Sequence, residues 1–260
     1  MRITEDKAKL VEKIKNHFLW YHSFDLGNGE KVTGITKENK FSSYPIPKSL
    51  EGWSVLDIAG WDGAMSFECE KRGAERVVLS NLKNIAQMDY ALSGKGSWET
   101  YKKNLSYPWS NFLEDGSWSK GAELIKQLYN SEIEIVESTV YELEEKLNSS
   151  FDLVLCCGLL YHLRDPIRAL QICRRLAKKQ IIVESMCISK RRSKMYTLLR
   201  DLLGKPKKPI VEYLPQQGKG GSDWWSFSVE ALKSMMEDAD FKNVEIKEHN
   251  GGRCILVGYV

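Results

Sequence analysis

Residues 54–79 constrain this chain more than any other stretch. Residues 54–58 (SVLDI) form a short apolar run that ends in a glycine-bearing turn, Ala59-Gly60-Trp61-Asp62-Gly63. A helix is expected over residues 64–72, with Gly73 as its stop, because glycine readily takes the left-handed conformation just past a last helical turn. Residues 76–79 (RVVL) read as a second buried strand. Strand, turn, helix and strand within about 30 residues is the dimension of a βαβ unit. Such a unit commits the chain to a parallel sheet with helices against it.

The remaining patterning repeats that commitment. Residues 132–136 (EIEIV) alternate as a strand does, and residues 151–157 (FDLVLCC) are continuously apolar, as a parallel strand covered on both faces requires. Asp165 caps and Pro166 opens a helix to about residue 177. Residues 180–184 (QIIVE) are the next strand, and Ser228 caps a helix to about residue 239. Residues 244–247 and 254–259 flank Asn250-Gly251-Gly252, a hairpin signal. The expected fold class is α/β, a doubly wound, mostly parallel sheet closed by a C-terminal antiparallel hairpin.

In front of it, Thr4 can cap a helix through about Phe18, with Leu10, Val11, Ile14 and Phe18 on one face. Gly27-Asn28-Gly29 marks a turn, and Pro45 and Pro47 a linker. Residues 1–50 therefore read as an N-terminal appendage to a domain over residues 51–260. Two segments interrupt that domain. Residues 83–130 scatter Trp98, Tyr101, Tyr107, Trp109, Phe112 and Trp118 among polar residues, either as an irregular insertion with its own small core or as an aromatic substrate lid. Residues 186–222 are basic: between Lys190 and Lys219 there are nine Lys and Arg against two acids. A solvated loop or a surface that steers an anionic acceptor both account for this.

Composition excludes several classes. The chain has 260 residues, 42% hydrophobic and 28% charged, and no run of about 18 apolar residues that would span a membrane. The opening residues mix charge with apolar positions, unlike a secretory signal, so a cytoplasmic location is expected. The six cysteines form no Cys-x-x-Cys pair and read as buried, reduced thiols, with no metal site. A net charge of +3 does not by itself indicate nucleic acid. The oligomeric state leaves no trace in the sequence.

Asp57 and Asp62 decide what the glycine-bearing turn holds. A dinucleotide pyrophosphate prefers backbone amides and a helix N-terminus free of acid. Two carboxylates suit instead a ligand with an ammonium, a sulfonium or ribose hydroxyls. Here a resemblance becomes specific. VLDIAGWDG resembles motif I of class I S-adenosylmethionine-dependent methyltransferases. WYHSFDLGNG, LEGWSVLDIAGWDGAMSFECEKRGAERVV, GLLYHLRDPIRAL and WWSFSVEALKSMMEDADF are similar to the branch that contains the tRNA wobble-uridine carboxymethyl-transferase and its small-molecule relatives. The matching stretches span about residues 20–245, with the aromatic and basic segments poorly matched.

The resemblance implies a seven-stranded Rossmann-like methyltransferase fold and S-adenosyl-L-methionine as cofactor. It implies that Asp57, Ala59, Gly60, Trp61, Asp62 and Gly63 wrap the methionine part. Asn81, followed by Leu82, stands where the family carries an acid for the ribose hydroxyls. Thr139 and Val140 stand at the adenine contact, and Cys157 and Gly158 lie under the sulfonium. Ala59 and Asn81 depart from the family pattern. They are the only support for a third reading, a non-catalytic scaffold that keeps the fold.

Methyl transfer asks the protein to align a nucleophile, exclude water and remove a proton from an oxygen or nitrogen acceptor. Tyr161 and His162 follow the fourth strand, where the acceptor should sit. His162 is a candidate base, and Arg164 a partner for an anionic acceptor. The resemblance places Tyr21 and His22 over the cofactor pocket, which makes His22 a second candidate base. Glu184 can point into the cleft, and Trp224 and Trp225 anchor a helix or stack a substrate. The expected activity is methylation of an O or N atom of a small-molecule acceptor, such as a sugar or natural product. A tRNA-modifying methyl or carboxymethyl transferase is the alternative. A carboxylated donor would need a basic partner, and no Lys or Arg lies between Lys15 and Lys31, so plain S-adenosylmethionine is expected.

Overall fold

The computed structural model describes residues 5–17, 19–83, 87–89, 118–188, 208–214, 223–250 and 252–260. Most of the expected aromatic segment and most of the basic segment lie outside these residues, as does Phe18.

Helix α1 (Glu5–Lys15) leads into a small hairpin of β1 (Phe24–Gly27) and β2 (Glu30–Val32). The central unit follows: β3 (Ser54–Ile58), α2 (Ala64–Lys71) and β4 (Arg76–Asn81). Then come α3 (Lys120–Tyr129), β5 (Glu134–Glu137), α4 (Leu143–Leu147), β6 (Phe151–Cys157), α5 (Pro166–Leu176) and β7 (Ala177–Met186). A second hairpin, β8 (Val211–Tyr213) with β9 (Trp225–Phe227), precedes α6 (Val229–Asp238), β10 (Lys242–Asn250) and β11 (Arg253–Tyr259).

Seven strands form one sheet in the order β10-β11-β7-β6-β3-β4-β5. Five are parallel, while β11 pairs antiparallel with both β7 and β10. The chain winds outward from β3 through β4 to β5, then returns to the other side of β3 as β6 and β7. The order reverses there, and in open α/β sheets the ligand crevice lies beyond the carboxyl ends of the strands at such a switch point.

The cores on the two faces follow from strand alternation. On one face Leu56, Val154 and Val183 pack with Leu170 of α5 and Leu232 of α6. On the other, Val55 and Leu153 pack with Phe67 of α2 and Ile125 of α3, joined by Ile14, Trp20, Phe24, Leu26 and Leu50. The first 50 residues thus share the main core. The caps form as their residues dictate: Asp165 accepts from the Arg168 N–H at 3.0 Å and Ser228 from the Ala231 N–H at 3.1 Å.

Two expectations need correction. Residues 120–129 are not irregular: they form α3, whose Gly121 packs close to Trp20, so the last part of the expected insertion is a core helix. The cysteines are also not all reduced: Cys187 and Cys254 form a disulfide, with Cα atoms 6.1 Å apart. The pairing is cross-strand. Cys254 on β11 faces Ser185 of β7, and Cys187 lies just beyond the end of β7. The linear sequence gives no sign of that proximity, because 67 residues separate the two thiols.

Candidate active site

The turn after β3 is built from conformations that ordinary side chains avoid. Ala59 has φ 57° and Trp61 φ 54°, both left-handed; each costs an L-residue roughly 1–2 kcal/mol. Backbone and side-chain bonds hold them there. The Ala59 N–H donates to the Ser80 carbonyl at 2.7 Å. Asn81 Oδ1 accepts from the Trp61 N–H at 3.0 Å, and Asn81 Nδ2 donates to the Trp61 carbonyl at 2.7 Å. This explains the amide at the end of β4: a carboxylate could accept from Trp61 but could not donate to it. Asn81 is buried, and both ends of its amide serve the turn. Gly60 is required by space, since a Cβ there would sit 2.3 Å from Asp57 Oδ2.

Asp57 is 1% exposed at the end of β3. Ser66 Oγ donates to its Oδ2 at 2.8 Å. Burial nevertheless pushes its carboxyl up to about 6, against the lowering effect of Ser66 and His22. A carboxylate in this condition gains from a cation beside it, so the turn fits a ligand that brings an ammonium group.

Asp62 has a different role from Asp57. It is also 1% exposed, and its Oδ2 accepts from the N–H groups of Tyr21 (2.9 Å) and His22 (2.7 Å). Its Oδ1 meets His22 Nδ1 at 2.5 Å. The Tyr21 ring stacks on Trp61 at 5.3 Å. The N-terminal segment is therefore clasped over the turn by a carboxylate that the sequence had assigned to the cofactor. Gly63, with φ 79°, starts α2.

Opposite this turn, the ends of β6 and β7 bring together groups from distant parts of the chain. Gly158 has φ 76°, and its N–H donates to the Glu184 carbonyl at 2.9 Å. Glu184, 4% exposed, is ion-paired with Arg253 through two contacts, one of them Nη2 to Oε2 at 2.9 Å. Burial still holds the Glu184 carboxyl above its ordinary value. Arg253 Nη1 donates to the Tyr161 hydroxyl at 3.1 Å. Burial pushes the Tyr161 phenol up to about 12, with Arg253 opposing. The Cys157 thiol is raised by burial and then by Glu184. Tyr44 belongs to the same group: burial, then Cys157 and Glu184, hold its phenol well above the ordinary range. Sequence reasoning missed Tyr44 and Arg253. Neither sits in a motif, and only the fold of the linker and the β7–β11 pairing bring them here.

His162 and Arg164 turn toward a separate group. His162 Nδ1 lies 3.1 Å from Asp223 Oδ1, although its ring also packs on Tyr161 at 4.1 Å. The Arg164 guanidinium lies over the Trp224 ring at 5.2 Å. Trp225 Nε1 donates to the Leu163 carbonyl at 2.8 Å, so this tryptophan anchors the β8–β9 hairpin to the loop after β6. After β5, Thr139 caps a 3₁₀ turn through a reciprocal bond with Glu142, its hydroxyl 2.8 Å from Oε2. Val140 is buried in the core and Leu82 half-buried.

The carboxyl ends of the strands at the sheet switch point thus carry a buried carboxylate, Asp57, on one side and the ion-paired, hydroxyl-bearing group of Glu184, Arg253 and Tyr161 on the other. The family described as a methyltransferase domain matches residues 36–246. No curated protein sequence matches the chain. Among solved structures, the fold is similar to that of the N-terminal domain of EvdMO1 in the presence of SAH and D-fucose. The TM-score is 0.60 at 15% identity, covering 100% of this chain and 99% of that one. The same domain with SAH bound gives a TM-score of 0.56 at 14% identity, covering 100% and 98%. The pyocyanin biosynthetic protein PhzM gives 0.52 at 15% identity, covering 86% of this chain and 56% of that one. At such identities the likeness concerns the fold.

Proposed function

The chain belongs to the methyltransferase-domain family, and on that premise we propose that it uses S-adenosylmethionine to methylate a hydroxyl or amine of a small molecule, with a sugar or sugar-bearing natural product as the favoured acceptor. The observation that carries this reading is Asp57: a buried carboxylate, raised to about 6, at the switch point of the sheet. When bound, the cofactor supplies a methyl group already activated on a sulfonium. The chain's own residues do the rest. Asp57 holds the ammonium end. Cys157 and Gly158 keep the floor small where the methyl group passes. Tyr44, Tyr161 and the Glu184–Arg253 pair form a polar wall suited to hydroxyls. The similar domain crystallised with SAH and D-fucose supports a sugar.

A carboxylated donor is the second reading, and Arg253 favours it, since it supplies a guanidinium where residues 16–30 hold no Lys or Arg. Glu184 already neutralises that guanidinium, so a donor whose transferred group is a plain, uncharged methyl remains the better fit. The basic segment that motivated an RNA acceptor lies mostly outside the described residues.

Calorimetric titration tests the cofactor. S-adenosylmethionine should bind, and Asp57→Asn should weaken it by about tenfold or more, the worth of one charge-assisted bond. Binding unaffected by that change would sink the assignment of Asp57. A panel of methyl glycosides, including methyl β-D-fucopyranoside, with radiolabelled cofactor tests the acceptor. Bulk tRNA and carboxy-S-adenosylmethionine serve as competing arms.

A further inference from the structure

His22 and Asp62 form a pair whose geometry exceeds what fastening the N-terminal segment requires. Two backbone N–H groups, those of Tyr21 and His22, already fix the segment to Asp62 Oδ2. The second oxygen, Oδ1, is given to the His22 ring at 2.5 Å. A carboxylate only accepts, so Nδ1 must carry the hydrogen, and in the neutral ring Nε2 presents its lone pair. Among the described residues none hydrogen-bonds Nε2. The His22 side chain is 18% exposed, and Asp62 only 1%.

The ring lies at the rim of the site. It acts electrostatically on Asp57, and the adjacent Tyr21 acts on both Tyr44 and Tyr161. We propose that His22 is the general base of the methyl transfer and that Asp62 is the residue that positions it. This rests on the reading of the site as a methyl-transfer centre. His22 Nε2 takes the proton of the acceptor hydroxyl as that oxygen bonds to the methyl carbon. The carbon–sulfur electron pair goes to sulfur, which becomes a neutral thioether. The imidazolium, stabilised by Asp62, later loses its proton to water. His162 is the weaker candidate because its partner Asp223 is 40% exposed, so water competes for the carboxylate that would fix its tautomer.

The chain has four histidines, few enough to assign by long-range ¹H–¹⁵N correlation, with His22 identified by the signals lost in His22→Gln. The neutral ring of wild-type His22 should carry its hydrogen on Nδ1 and leave Nε2 bare. A neutral ring with its hydrogen on Nε2 would overturn the proposal, and this arm needs neither an acceptor nor a variant of Asp62. His22→Gln should also bind S-adenosylmethionine within about threefold of wild type while its methyl transfer to methyl β-D-fucopyranoside falls at least about a hundredfold. Loss of cofactor binding in that variant, or transfer retained within tenfold, would reject the role. Failure of the wild type itself to bind S-adenosylmethionine would instead reject the cofactor reading.

Discussion

At the scale of single residues, the turn after β3 is a set of opposing forces. Asp57 prefers to be neutral in its pocket. Its folded value of about 6 lies above the ordinary 3.8, so its favourable contribution is complete below about 3.8 and is lost as pH rises through about 6. Two pH units correspond to roughly 3 kcal/mol. The ligand-free protein should therefore melt higher in Asp57→Asn than in wild type at pH 7.5, and the difference should vanish near pH 4. Differential scanning calorimetry across that range checks it; an equal difference at both ends would contradict the burial argument. Asn81 tests the other side of the turn. Asn81→Asp removes the donor to the Trp61 carbonyl and sets a carboxylate against it, and so should cost about 2 kcal/mol. For a chain of this size that is a fall in Tm of about 5 °C, read by thermal melt. The residue that departs from the family pattern is then a structural requirement of the turn.

At the scale of elements, the β3–α2–β4 unit and the C-terminal hairpin were legible because each carries its own local chemistry. The apolar run of residues 151–157, the Asp165-Pro166 start and Asn250-Gly251-Gly252 all specify structure from neighbours in sequence. What escaped reading depends on distant partners. The β8–β9 hairpin has three-residue strands, too short for an alternation signal. Helix α3 was hidden by its polar surroundings, although Ala122 and Ile125 reach the core. The Cys187–Cys254 link exists only because β11 runs beside β7. It closes a loop of 67 residues, worth on the order of 4 kcal/mol by the chain-entropy argument. Peptide mapping without reductant should recover the linked pair, and Cys187→Ser should lower Tm by about 10 °C. A melt unchanged by both reductant and substitution would show that the link adds nothing.

At the scale of the whole molecule, the first 50 residues are not an accessory. Ile14, Trp20, Phe24 and Leu26 complete the apolar face formed by Val55, Phe67 and Ile125. Deleting residues 1–35 should abolish cooperative unfolding and leave a species that binds a hydrophobic dye such as ANS. A truncated chain with a sharp transition within a few degrees of the parent would show the segment to be dispensable. The same segment brings Tyr21, His22 and, in the linker behind it, Tyr44 to the site, so stability and competence depend on the same contacts.

The sheet order carries one more implication. Strand β11 lies between β7 and β10, both of which leave the ribosome before it. A chain made only as far as β10 therefore leaves β7 without its antiparallel neighbour and β10 without a partner in the sheet. The guanidinium that faces Glu184 and Tyr161 arrives only with the strand that joins them.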